Sequence, residues 1–215
     1  MEYQSIEEQI EQEIKDKILS GELAENTRIS EREICEAYNV TRPAVRIVID
    51  RLKKENWLYV KAKSGTYVAP IDKKTIEESF QVRLMVEPQI LIWNMNEMTA
   101  SDIERMKYNT QRMRVAEHEE YGYRELDNHT VIKEKTKNAI VVNLLDNMMA
   151  NILRITSKTS VSEERRLASI NEWERIISCI ERKEADQASQ YMVLHLLNTA
   201  DEFWRDYNRC NGENK

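Results

Sequence analysis

Arg42 and Arg46 stand four residues apart in Val40-Thr41-Arg42-Pro43-Ala44-Val45-Arg46, so on a helix both side chains leave from one face. A guanidinium is a rigid fork of donors that matches the two acceptors on a guanine edge. Such a bidentate contact is worth roughly 1–3 kcal/mol of base discrimination. Thr41 is a capping type, and Pro43 in the first turn gives up an amide that would have no intrahelical partner there. Lys61 and Lys63 lie in Lys61-Ala62-Lys63-Ser64-Gly65, where cations supply affinity for phosphate rather than sequence reading. Farther along, Glu125 and His129 are again four apart and His195 follows. A carboxylate and two imidazoles are ligand types for a divalent ion such as Zn, Ni or Mn.

These residues need elements to hold them. Ile6, Ile10, Ile14 and Ile18 form an i, i+4 stripe on a first helix that Gly21 ends. Ser30 with Glu33 opens a second helix by a capping box. The tight turn Asn39-Val40 leads to the third, whose buried stripe is Val45, Ile49 and Leu52. Trp57-Leu58-Tyr59-Val60 and Thr66-Tyr67-Val68-Ala69 are β-rich and make a hairpin with a basic tip. Past Pro70 no strand signal remains, and helices are expected at about 73–95, 100–119, 122–136, 139–156, 163–182 and 185–208. The expected fold is therefore mostly α: a winged helix-turn-helix over residues 1–71, then an all-helical bundle of about six helices over residues 72–215.

Composition narrows the function classes. With 41% hydrophobic and 33% charged residues but only four Gly and three Pro, the chain favours packed cores and long helices over loops. No apolar run approaches the about 20 residues of a membrane span, and residues 1–4 lack a secretion-signal pattern, so a cytoplasmic protein is expected. Cys35, Cys179 and Cys210 fit no zinc spacing and read as reduced thiols. The net charge is −6, yet residues 41–69 carry Arg42, Arg46, Arg51, Lys53, Lys54, Lys61 and Lys63 against Asp50 and Glu55. A basic face on an acidic body suits contact with DNA through one surface. Gly-rich phosphate loops, His-Glu-x-x-His and a nucleophile beside a base are all missing, which weighs against an enzyme.

Several linked motifs give residues 4–70 a resemblance to the winged-helix domain of the GntR family. They are Ile18-Leu19-Ser20-Gly21-Glu22-Leu23, Arg28-Ile29-Ser30-Glu31-Arg32-Glu33-Ile34, Val40 to Arg46, and Ser64-Gly65-Thr66-Tyr67-Val68. The resemblance implies that Arg32, Thr41, Arg42 and Arg46 contact operator DNA and that Gly65 lets the wing approach the backbone. Glu25-Asn26 stands where the family usually has Pro-Gly, and Ala44 replaces a more common proline. The remainder resembles the FCD effector domain of the FadR-type branch. Arg83 and Glu87 match its Arg-x-x-x-Glu stretch, Glu125 to His129 its Asp-x-x-x-His segment, Glu172-Trp173 its Glu-His, and His195-Leu196 its His-Leu. Many members bind a divalent metal there, through the Asp and three His, and the metal helps hold a carboxylate effector.

Here Glu125 stands for Asp, and Trp173 replaces a ligand histidine with an indole that cannot coordinate. Two readings follow for what survives. Glu125, His129 and His195 hold a divalent ion in a degenerate site, or the histidines are core residues satisfied by carboxylates, with Trp173 filling the space. Arg83 likewise either holds an anionic effector or pairs with Glu87 four residues on. The effector site expected from the resemblance comprises Arg83, Glu125, His129, Trp173 and His195. Together these point to a homodimeric, ligand-responsive transcription regulator of the repressor type, with operator DNA and a small organic or sugar acid as partners. A metal-dependent helical-bundle enzyme using Glu125, His129 and His195 is the competing class.

Overall fold

The computed structural model describes residues 5–70, 73–159 and 162–211; the side chains of 118–119, 149–150, 158–159 and 209–211 are outside that set. The thiol of Cys210 and the domain boundary at 71/72 therefore lie outside the described residues. The chain divides into two compact units, residues 1–72 with 147–151 and residues 73–146 with 152–215.

In the first unit, α1 (Ile6–Leu19) opens on a full capping box. Ser5 Oγ accepts from the Glu8 amide at 3.2 Å, and the Ser5 amide donates to the Glu8 carboxylate at 2.8 Å. Gly21, at φ +83°, ends it in the left-handed region. The stripe Ile10, Ile14, Ile18 is buried, and α1 packs on α3 (Arg42–Lys54), which buries Val45, Val48, Ile49 and Leu52. Each such side chain contributes about 1.5–3 kcal/mol by leaving water. Between them α2 (Glu31–Tyr38) starts at Ser30, whose hydroxyl accepts from the Glu33 amide at 3.3 Å; only this half of the expected box is formed. Asn39 caps α2 at φ +51°, a conformation asparagine tolerates, and so sets the sharp turn into α3. Thr41 is the N-cap of α3 by position, but its hydroxyl makes no capping bond, contrary to its expected role.

A short strand β1 (Arg28–Ile29) joins the expected hairpin strands β2 (Leu58–Lys61) and β3 (Gly65–Val68) in the antiparallel order β1-β3-β2. Two residues of strand carry no periodic signal, so β1 is invisible to pattern reading.

The second unit is helical among the described residues. It contains α4 (Lys73–Asn94), a 3-10 turn Met95–Glu97, α5 (Ala100–Met113), α6 (His118–Glu134), α7 (Ala139–Thr159) apart from its residues 147–151, α8 (Glu163–Glu181) and α9 (Ala185–Asn211). α4 packs on α9 and α6, and α8 on α9 and α5. These pairs bury a core that includes Leu91, Met106, Met113, Ile176, Met192 and Leu196. Two edges differ from expectation: α5 stops at Met113 rather than 119, and α6 begins at His118 rather than 122. Residues 114–117 contain no Gly or Pro to announce the break, yet Ala116 turns into the core and Glu117 is extended at ψ 167°. Met85 on α4 is 69% exposed. Pro88 sits inside α4 and removes the amide that would bond the carbonyl four residues earlier.

Candidate nucleic-acid interface and polar core

The N-terminal end of α3 presents Thr41, Arg42 and Arg46 to solvent, and Arg32 is exposed on α2. Their electrostatic states differ. Arg46 Nε donates to Glu31 at 3.3 Å and Arg32 Nε to Glu36 at 2.8 Å, with both arginines more than half exposed. Arg42 has no carboxylate partner among the described residues. Exposed ion pairs of this kind are weak and yield readily to a competing phosphate. On the wing, Lys61 and Lys63 are exposed, Lys63 at φ +58°, and the Ser64 amide closes the turn on the Lys61 carbonyl at 2.9 Å. The wing is stiffened by a Ser64 Oγ to Tyr67 Oη contact of 2.6 Å and by Tyr59 Oη donating to Asn26 at 3.0 Å. Gly65 has φ +129°, and a methyl there would come within 3.1 Å of Arg28 Nε.

In the second unit the expected effector residues do converge. Arg83, only 2% exposed, donates through Nε to Glu87 at 2.5 Å and through Nη2 to His129 Nε2 at 3.1 Å. A guanidinium can only donate, so His129 Nε2 accepts and its imidazole is neutral. His129 Nδ1 lies 2.6 Å from Glu87 Oε2 but out of line for a hydrogen bond, and both buried atoms are left without one. Burial favours a protonated Glu87, yet the Arg83 guanidinium outweighs it and holds the carboxyl well below the usual range. Burial also pushes the His129 imidazole down, Glu87 opposes this, and Arg83 adds to it.

His195 belongs to a second cluster. Its Nδ1 is 2.8 Å from Glu172, and its Nε2 is 3.5 Å from Glu125. Arg165 grips Glu172 with two bonds, 2.9 and 2.6 Å, and Asn198 donates at 2.7 Å. Burial raises the Glu172 carboxyl, but Arg165 and His195 overcome it and bring it to about 2. Glu125 is buried and accepts from Ser169 at 3.1 Å. Asp127, in contrast, is held by Arg105 and Asn109. Trp173 is fully buried against both imidazoles, with ring centroids 4.7 Å from His129 and 5.1 Å from His195.

This arrangement does not fit a metal ion. The expected ligands Glu125, His129 and His195 lie close together, with the two imidazole centroids 5.4 Å apart, but their ligating atoms are taken: His129 Nε2 faces the Arg83 guanidinium, His195 Nδ1 faces Glu172, and the indole packs on both rings. Among the described residues no group of three or more His, Cys, Asp or Glu is placed to hold one. Sequence reasoning missed Glu172 and Arg165 as the partners of His195. Their spacing of seven puts them on one helix face, but nothing local ties them to residue 195. It also missed Arg28, which lies on the strand that carries no pattern.

A helix-turn-helix with a basic wing and a second, helical unit with a buried polar core are together the parts of a ligand-responsive regulator. The sequence matches "Bacterial regulatory proteins, gntR family" over residues 6–68 and the FCD domain over residues 78–198. The chain belongs to the GntR family of bacterial regulatory proteins, in the branch that carries an FCD domain. It is 22% identical over 204 residues to the HTH-type transcriptional repressor RspR of Escherichia coli K12, covering 92% of this chain and 89% of that protein. It is 44% identical over 61 residues to the arabinose metabolism transcriptional repressor of Halalkalibacterium halodurans, covering 28% of this chain but only 16% of that longer protein. The fold is shared with the solved structure of E. coli McbR/YncC, with a TM-score of 0.78 at 15% identity over 96% of this chain and 100% of that one. The protein is thus a DNA-binding transcription regulator with a small-molecule effector domain, and neither family match is to an enzyme. No described helix is long and apolar enough to cross a membrane.

Proposed function

We propose that the chain is a cytoplasmic homodimeric repressor that reads a pseudo-palindromic operator through Arg42 and Arg46 and releases it on binding a small organic or sugar acid. The observation that carries the reading is the exposed start of α3, where Arg42 has no ion-pair partner among the described residues and Arg46 is held only by Glu31 at the surface. Arg32 and Thr41 flank them, and Lys61, Lys63 and Gly65 on the wing contribute backbone contacts. A twofold pair of such heads matches a twofold operator. The repressor names of the relatives favour repression.

In the effector domain, Arg83 and the neutral His129 are the groups an anion would engage, with Glu125, Trp173 and His195 forming the rest of the wall. Carboxylate and guanidinium are matched bidentate partners, which supports an acid over a neutral ligand. Binding to a duplex from the chain's own promoter, set against a scrambled duplex of the same composition, tests the DNA reading. Arg42→Ala should reduce the preference for promoter over scrambled DNA, by roughly tenfold or more. Lys63→Ala should weaken both alike. Equal affinities of wild type and Arg42→Ala for both duplexes would remove α3 as the reading head.

A further inference from the structure

Arg28 is a cation of the same unit that the DNA-reading residues do not include. Arg28 projects from β1, exposed and without an ion pair among the described residues. Its guanidinium lies over Gly65 at the wing: a methyl on Gly65 would meet Arg28 Nε at 3.1 Å, Nη2 at 3.6 Å and Cζ at 3.7 Å. The absent side chain at residue 65 is therefore the room in which Arg28 sits. Arg28 also borders an open groove of about 530 Å³ that it shares with Arg32, Arg42, Gly65 and Thr66. Arg32 is tied to Glu36, so Arg28 and Arg42 are the two uncommitted guanidiniums on this groove. Two carboxylates also line it, and one of them, Glu31, is drawn to Arg46 while Glu33 is the other. The excess free charge in the groove is positive, and the two free forks face it from different elements, β1 and α3.

We propose that Arg28, seated over Gly65, is a clamp for a backbone phosphate of the operator, closing on the strand beside the base edges that Arg42 reads. The inference rests on the DNA-binding reading of α3 and adds a separate contact to it. Arg28 extends from the sheet rather than from the reading helix, so its contribution is to affinity on any duplex. Neutralising one phosphate contact lowers the slope of log K against log salt by about one per bound chain. Because Arg28 has no ion pair among the described residues, removing its charge leaves the protein folded.

The experiment measures the binding of Arg28→Gln and Arg28→Lys to promoter and scrambled duplexes across a salt series, with thermal melts as a folding check. The clamp predicts that Arg28→Gln loses roughly three- to tenfold affinity at low salt on both duplexes, with a shallower salt slope and an unchanged promoter preference. Arg28→Lys should keep most of the slope, and inorganic phosphate at matched ionic strength should not compete with DNA. Wild-type affinity and slope in Arg28→Gln, alongside lost preference in Arg42→Ala, would overturn the clamp and leave α3 as the reader. Competition by inorganic phosphate would instead assign the groove to a free anion, and the clamp would fall. If Arg42→Ala is also without effect, the DNA reading itself fails.

Discussion

At the scale of single residues, the reading face carries its own restraint. Glu31 and Glu36 occupy Arg46 and Arg32 in the free protein, and phosphate or a base edge must displace them. Glu31→Gln should therefore raise affinity for promoter and scrambled duplexes alike, a few-fold at low salt, and leave the ratio between them unchanged. Titration against duplex checks this, and weaker binding would show that Glu31 positions Arg46 rather than competing for it. The buried groups predict a pH dependence as well. Glu87, Glu172 and His129 all have folded-state proton affinities below their ordinary values. Each therefore contributes stability that is complete above its unfolded pKa and is lost as pH falls toward the folded one. The melting temperature should start to fall below about pH 6.5, as His129 charges in the unfolded chain, and fall faster below about pH 4 as the carboxylates follow. A His129→Gln variant should flatten the upper part of that decline; an unchanged profile between pH 7 and 5 would show that the imidazole is not held neutral.

At the scale of elements, α4 is organised around an ion pair that is almost wholly removed from water. Arg83→Met should cost roughly 3–5 kcal/mol, because it strands the Glu87 carboxylate. Adding Glu87→Leu should recover most of that loss, since a buried pair and an apolar pair of similar volume are nearly equivalent. Chemical denaturation of the single and double variants measures both steps. A double variant no better than the single would mean that His129 and the neighbouring helices depend on the charges. Most of the elements were legible because their signals are local: the isoleucine stripe of α1, Ser30 before α2, and Pro43 at the start of α3 all act within one or two turns. The break at residues 114–117 was not legible, because burial of Ala116 is decided by neighbouring helices and leaves no mark on nearby residues. The polar core was half legible for the same reason. Spacing of four tied Arg83 to Glu87, but Glu125 lies against Ser169 and His195 rather than His129, and it takes the packing of α8 on α9 to put Glu172 beside His195.

At the scale of the whole molecule, the acidic total charge and the basic reading face divide solubility from DNA affinity. The net value of −6 discourages indiscriminate nucleic-acid binding, while the cations of α3 and the wing act locally. A twofold operator calls for two heads, and the second unit exposes large apolar side chains, among them Trp93 at 60% and Ile140 at 79%. Sedimentation equilibrium should report about twice the 25.5 kDa chain mass. A concentration-independent monomer would rule out the proposed reading of a palindrome.

The triad of Arg83, Glu87 and His129 has a bookkeeping of charge with a further consequence. One cation, one anion and one neutral ring sum to zero, in an interior where an unbalanced charge is expensive. An acid that enters there brings a negative charge with nothing to cancel it, unless a proton enters with it and His129 is the group that takes it up. Ligand capture should then be tighter in mildly acidic solution and should draw close to one proton per molecule bound. Calorimetry in buffers of different ionisation enthalpy would show this as a binding heat that changes with the buffer, and a buffer-independent heat would mean that the acid is neutralised elsewhere.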